Sequence, residues 1–187
     1  IAVVILNWNG RALLEQFLPS VVKYSSEANV YVADNASTDD SVRYVMNNFP
    51  SVKIIQNKEN GGYARGYNQA LSTLAEDIFV LLNSDVEVTD GWLTPVVSVF
   101  REDPKVVAAQ PKILDYKDRS KFEYAGAAGG FIDSLGYPYC RGRIFQSIET
   151  DHGQYNDIIP VFWATGACLF VRRSSFQKAR GFDEDFF

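Results

Sequence analysis

The chain is short of the residues on which much hydrolytic and zinc chemistry depends. It holds one histidine, His152, and two cysteines, Cys140 and Cys168, in 187 residues. A single histidine excludes a histidine-rich zinc site. With no GxSxG present, it also removes the usual ground for a Ser-His-acid hydrolase. The cysteines stand far apart and form no CxxC, which reads as buried free thiols in a reducing compartment. Positive charge is scarce too. Lys and Arg number 18 against 23 Asp and Glu, a net charge of −5, and nucleic-acid backbones need clustered cations. A small anion held through a divalent ion stays compatible with that balance. No run of about 18 apolar residues is present to span a bilayer, and no signal peptide is visible. An initiator Met is missing as well: the chain opens on Ile1 in the strand-like IAVVIL and stops on Phe186 and Phe187. These ends read as a piece of a longer polypeptide.

What is there suits one sizeable domain, with a 47% hydrophobic and 22% charged composition ordinary for a soluble globular chain. Aromatics are rich at 14% and serve ligand clefts as well as cores. The first hundred residues alternate short β-branched strands with helical stripes. Strands are expected at Ile1 to Leu6, Val30 to Ala33, Val52 to Gln56 and Ile78 to Leu82. Between them, Leu14, Phe17, Leu18 and Val21 share one helix face, with Pro19 expected to break or kink that helix. Val42, Val45, Met46 and Phe49 share a second face, with Ser37 or Thr38 as N-cap. Tyr67, Ala70, Leu71 and Leu74 form a third, and Leu93, Val96, Val97 and Phe100 a fourth. This order predicts an α/β domain, a mostly parallel sheet covered by helices on both faces. Residues 1–105 would bind the ligand, while 106–187, with turns rich in glycine and a strand at Ala167 to Val171, would finish the sheet and build an acceptor-side wall.

In such sheets ligands sit beyond the carboxyl ends of the strands, and the four loops there are polar: NWNG, DNASTDD, NKENGGYARG and NSDVEV. The last three each have two readings. In the second loop, Ser37, Asp39 and Asp40 serve as helix caps and dipole partners, leaving Asp34 free to accept from a ligand N–H. In the third, Gly61 and Gly62 make either a plain tight turn or a close backbone approach to phosphate at a helix start, with Arg65 adding charge. In the fourth, Asp85 and Glu87 either cap the next helix or hold a hard divalent cation, which takes one or two carboxylates beside substrate phosphates.

With these loops in order, the chain resembles the family 2 inverting glycosyltransferases of GT-A fold, in particular the bacterial rhamnosyltransferase-like branch that builds cell-surface polysaccharide. Five stretches carry the resemblance: VVILNWNG (3–10), VADNASTDDS (32–41), NGGYARGYNQAL (60–71), FVLLNSDVEV (79–88) and WATGACLFVRRSSFQKARGFDEDFF (163–187). The resemblance implies a sugar moved from a nucleotide-diphosphate donor to a glycan or lipid-linked acceptor, with Mn²⁺ or Mg²⁺ as cofactor. It implies that Asn7 and Asn9 edge the nucleotide, Asp34 meets the base, and Gly62 and Arg65 flank the diphosphate. The family's Asp-x-Asp falls on Asn83-Ser84-Asp85, so Asn83 replaces the first acid, Asp85 becomes the metal ligand, and Glu87 is a weaker one. Trp163, Gly166 and Ala167 are implied near the sugar and acceptor, with Arg172 and Arg173 close by.

The family's catalytic base is expected beyond Phe187, with Asp183 and Glu184 as weak substitutes, so this stretch is expected to transfer little by itself. Phe182, Phe186 and Phe187 are expected to lack part of their packing. The implied setting is the cytoplasm, at the inner face of the membrane through regions outside this stretch. Rival readings are a non-catalytic nucleotide or glycan-binding module and a nucleotidyltransferase, although the latter's basic glycine-rich loop is replaced here by NWNG.

Overall fold

The computed structural model describes residues 1–185; Phe186 and Phe187, expected above to lack packing, lie outside them. The N-terminal part alternates strand and helix: β1 (Ala2–Asn7), α1 (Arg11–Tyr24), β2 (Asn29–Asp34), α2 (Ser41–Asn48), β3 (Lys53–Gln56), α3 (Gly62–Ser72), β4 (Ile78–Leu82) and α4 (Leu93–Glu102). The chain continues as β5 (Ala108–Ala109), then β6 (Gly130–Ile132), β7 (Pro138–Cys140), β8 (Arg143–Ile144), β9 (Ser147–Ile148), β10 (Cys168–Arg172) and α5 (Arg173–Lys178).

The main sheet runs β3-β2-β1-β4-β10-β5. Its first four strands are parallel, while β10 lies antiparallel between β4 and β5. The apolar run of β4 is buried along its whole length, and that of β1 everywhere but at the half-buried Leu6, because helices cover both faces. One face packs Leu14, Leu18, Val21, Val45, Leu93, Val97 and Phe100 from α1, α2 and α4. The other packs Tyr67, Ala70 and Leu71 from α3, with Phe176 of α5 and Phe182 against them. Phe182 is half-buried, its ring 5.6 Å from that of Tyr63 and 5.3 Å from that of Phe176.

Three local expectations give way to tertiary context. α1 runs through Pro19 without ending. The proline faces solvent, where water can satisfy the carbonyl left without a partner. Its cost of about 3 kcal/mol is outweighed by four buried side chains, Leu14, Phe17, Leu18 and Val21, at about 1.5–3 kcal/mol each. α2 starts at Ser41, and neither Ser37 nor Thr38 caps it; Ser37 is drawn away to the β1 loop. Met46 is 63% exposed, so the helix buries a stripe narrower than its sequence suggests.

The excursion between β5 and β10 forms a separate antiparallel sheet, β6-β7-β8-β9. A small core of Phe122, Ala127, Ala128 and Cys140 lies beneath it. Trp163 fixes this unit to the chain returning toward β10. Its indole Nε1 donates to the Phe131 carbonyl at 3.0 Å, and its ring lies so close to Gly130 that an added Cβ would overlap it.

Candidate functional site

The carboxyl ends of the parallel strands β1, β2, β3 and β4 lie at one edge, and the loops after β1, β2 and β3 are hydrogen-bonded to one another. Asn7 is buried at the end of β1, where its amide nitrogen lies 2.9 Å from Asp34 Oδ1 and 2.9 Å from Ser41 Oγ. The second Asp34 oxygen accepts the Ser37 N–H at 3.0 Å. Asp34 is thus not the free acceptor expected from sequence: it is 3% exposed and each oxygen already has a donor. Asn9 Oδ1 accepts the N–H groups of Thr38 and Asp39, and Ser37 Oγ accepts the Asn9 N–H. Asp39, read above as a plain dipole partner, accepts from the first residues of two helices at once, Arg11 of α1 and Ser41 of α2. Burial alone would raise its carboxyl, but the Ser41 and Arg11 donors more than offset that and hold it below its usual value. Anionic charge between two helix N-termini is stabilised by both dipoles.

A second network secures the glycine loop. Asn57 donates to Asn35 Oδ1 at 2.7 Å, and Asn35 donates to Asn60 Oδ1 at 3.1 Å and to the Gly62 carbonyl at 2.9 Å. Gly62 opens α3 at φ 68, a left-handed conformation that a side chain would strain. The same turn is closed by the Gly62 N–H, which donates to Asn60 Oδ1 at 3.0 Å. Arg65 stands exposed on the first turns, paired with Glu59 at 2.7 Å. The next residue after Gly62, Tyr63, reaches across to β10's approach and donates to the Gly166 carbonyl at 3.0 Å. Burial pushes the Tyr63 hydroxyl far above its usual pKa, so it stays a donor.

At the end of β4, the Asn83 N–H donates to the Ala167 carbonyl at 2.9 Å, continuing the β4–β10 ladder by one step. Asn83, Asp85, Gly166 and Ala167 are therefore brought together although more than 80 residues separate them in sequence. Asp85 is exposed and, among the described residues, neither of its oxygens accepts a hydrogen bond. It caps nothing, since α4 begins only at Leu93 after Trp92 as N-cap. Glu87 is differently placed: the Arg119 guanidinium pairs with it at 2.8 Å. Behind this turn lies a cavity of about 510 Å³, bounded by the 83–89 turn and by a strap, residues 111–123, that crosses to α1. There the Tyr116 ring packs edge-on to Phe17 at 5.1 Å.

Other sequence candidates fall elsewhere. Trp163 is engaged with Gly130 and Phe131, as described, rather than facing the Asp85 turn. Arg172 pairs in register with Ile78 while Cys168 pairs with Leu82. Arg172 and Arg173 therefore sit at the opposite end of the sheet, about 13 Å away along the strand, and do not approach the site. Arg172 instead donates to the Phe100 and Val106 carbonyls. Glu184 accepts from Asn68 of α3 at 2.9 Å and lies 4.0 Å from Arg65, and the exposed Asp183 accepts the Asp185 N–H. Sequence reasoning missed Asn35, Asn57, Tyr63 and the strap. The asparagines were visible at strand ends, but nothing local shows which loops they join.

A family model, "Glycosyl transferase family 2", matches residues 2–180. The N-acetylglucosaminyl-diphospho-decaprenol L-rhamnosyltransferase of Mycobacterium tuberculosis is 28% identical over 191 residues, 93% of this chain and 62% of that protein. The chain thus spans less than two thirds of that relative's length. In structure it is similar to the mannosyltransferase PcManGT of Pyrobaculum calidifontis, solved with GDP-Man and Mn²⁺. The TM-score there is 0.61 at 17% identity, over 98% of this chain and 47% of that one. It is also similar to S. aureus TarS 1-349, with a TM-score of 0.66 at 17% identity over 98% and 50%. The mostly parallel sheet with its antiparallel β10 is the GT-A fold of these structures, and the chain belongs to glycosyl transferase family 2.

Proposed function

We propose that the site binds a nucleotide-diphosphate sugar and that the whole protein transfers its sugar, with inversion, to a glycan or lipid-linked acceptor in cell-surface polysaccharide synthesis. The observation that carries this reading is Asp85, an unengaged carboxylate just past the end of the buried strand β4, where it lines the cavity beside Ala167. Exposed carboxylates usually have solvent and nothing more to do. This one sits where the family's metal motif falls, at the end of β4, next to the loops after β1, β2 and β3 that hydrogen-bond to one another.

In this reading Asn7 and Asn9 shape the base side, and Asp34 meets the base with the lone pairs that Asn7 and Ser37 leave. Gly62 lets the α3 N-terminus approach the diphosphate, and Arg65 adds charge there. Asp85 holds the divalent ion, with Asn83 beside it. Glu87, tied to Arg119, would contribute only if that pair opened. Among the described residues no three His, Cys, Asp or Glu side chains gather in one group. An oxygen-seeking Mn²⁺ or Mg²⁺ would therefore take other ligands from the donor's phosphates and water, as these ions commonly do. When bound, such an ion supplies charge stabilisation to the departing diphosphate. The protein's own part is to orient the donor and present the Gly166–Ala167 backbone at the sugar. Inversion also needs a carboxylate to take the acceptor's proton; Asp183 and Glu184 are weak candidates. No described helix is long and apolar enough to cross a membrane. The setting we propose, from the family resemblance alone, is the cytoplasm, with a lipid-linked acceptor met at the inner membrane face.

The test is titration calorimetry of UDP, GDP and dTDP with and without Mn²⁺ on wild type and Asp85→Asn. The substitution should remove the Mn²⁺-dependent gain, tenfold or about 1.4 kcal/mol at least. It should shift Tm by less than about 2 °C, because an exposed side chain without partners carries within about 0.5 kcal/mol of stability. Unchanged metal-dependent affinity would sink the assignment.

A further inference from the structure

On the donor-binding reading above, we propose that the cavity between the 83–89 turn and the 111–123 strap receives the transferred sugar and selects an uncharged, hydroxyl-rich ring over a uronic acid. The size fits a small-molecule pocket, about 510 Å³ in a range of roughly 300–1,000 Å³. Its position is beside Asp85 and Ala167, both of which line it, so a sugar attached to a phosphate held at Asp85 would have this recess within reach. The floor is apolar, built from Val86, Trp92, Ile113 and Leu114, and suits the C–H face of a pyranose ring.

The charges around it decide the class of sugar. Six charged residues line the cavity: Asp85, Glu87, Asp115 and Glu123 against Lys112 and Arg119. Both cations are already neutralised. Lys112 is held by Asp151 and Asn156 at 2.6 Å each, and Arg119 by Glu87. With Asp85 given to the metal, Asp115 and Glu123 are left as uncompensated carboxylates. Each spends one oxygen on nearby backbone: Asp115 Oδ1 accepts from Lys117 and Asp118, and Glu123 Oε2 accepts from Ala125. Those bonds fix the two groups in place and leave the second oxygen of each, Oδ2 and Oε1, as an acceptor for sugar hydroxyls. The same N–H donors hold the Asp115 carboxyl below its usual pKa, so it is ionised at neutral pH. Hydroxyls donating to ionised oxygens make the stronger class of hydrogen bond, whereas a sugar carboxylate would meet two like charges and no available cation.

The experiment first identifies the nucleotide by calorimetry of UDP, GDP and dTDP with Mn²⁺. Matched pairs on the binding nucleotide follow: glucose against glucuronic acid on UDP or dTDP, mannose against mannuronic acid on GDP. Bare nucleotides serve as the reference in every variant. Wild type should bind the uronate about tenfold or more weaker than the neutral partner, as expected for unscreened like charges at close range. Asp115→Asn with Glu123→Gln should narrow that gap to about threefold or less. Both amides keep an oxygen for the backbone donors they now satisfy, and the single Glu123→Gln should narrow the gap in part. Equal or tighter uronate binding by wild type, or an unchanged gap in the variants, overturns the proposal. Absence of binding by all three nucleotides would overturn the donor-binding reading instead.

Discussion

Replacing Asp34 by Asn changes one oxygen for an NH₂ and almost no volume, so its effect isolates the hydrogen bonds. In the native site the two oxygens face two donors, the Asn7 amide nitrogen at 2.9 Å and the Ser37 N–H at 3.0 Å. An asparagine there has one acceptor. Whichever way it turns, its NH₂ confronts one of those donors inside a region where Asn7, Asp34 and Ser41 are all buried. One hydrogen bond to a charged acceptor is lost, about 1.5–3 kcal/mol, and the stranded donor adds its desolvation, so we expect about 3 kcal/mol overall. For a domain of this size that corresponds to a drop of roughly 6–12 °C in Tm. Calorimetric melting at pH 7 measures it, with nucleotide titration beside it. On the proposed function, affinity should fall equally with and without Mn²⁺, because Asp34 is assigned to the base and Asp85 to the metal. A Tm within about 2 °C of wild type would refute the reasoning, since the polar network would then carry no stability.

Tyr63→Phe removes the hydroxyl that donates to Gly166 and keeps the ring contacts. About 1 kcal/mol should be lost, and amide exchange should accelerate at residues 163–168 while other strand ends stay protected. Gly130→Ala forces a methyl into the Trp163 indole, an overpacking cost of about 1–3 kcal/mol or more. Tryptophan fluorescence should shift and proteolysis should begin within residues 130–150, with the main sheet's circular dichroism retained. Asp151 is held below its ordinary value of 3.8, first by the Lys112 ammonium and then by the Gly153 N–H. A depressed carboxyl contributes stability that is present above its unfolded pKa and lost as pH falls through the folded one. Amide exchange around 149–157 should therefore rise below about pH 3.8, and Lys112→Met should abolish most of that dependence.

The four strand–helix units could be read from sequence because their signals are local: IFVLL is buried on both faces, and Tyr67, Ala70 and Leu71 fall one helical turn apart. The loops were legible as a site for the same reason, since the parallel order alone sends all four to one edge. Their internal wiring was not. Asn7 reaching Asp34, and Asn57 reaching Asn35, are contacts over 27 and 22 residues, and an asparagine's sequence neighbours do not reveal its partner. Ser37 scored as a cap on propensity, yet Asn9 offered its hydroxyl a better-defined role. The antiparallel direction of β10 and the strap over the cavity depend on how a long irregular stretch closes, which no periodicity encodes.

That closure has a consequence for how such a protein can change. Ala109 of β5 and Phe170 of β10 are paired across neighbouring strands, so the chain leaves the sheet and re-enters it at adjacent points. Everything from 110 to 167 is an excursion with fixed, close ends. Its length matters little to the frame, because doubling a flexible loop costs only about 0.6 kcal/mol of closure entropy. The loops after β1, β2, β3 and β4, by contrast, each connect a strand to its own helix and cannot be exchanged without disturbing the core. One wall of the cavity can therefore be rewritten, by insertion, deletion or wholesale grafting from a relative, while the opposite wall, the 83–89 turn, stays anchored in the sheet. Chimeras joined at 109 and 168 would put that separability to use.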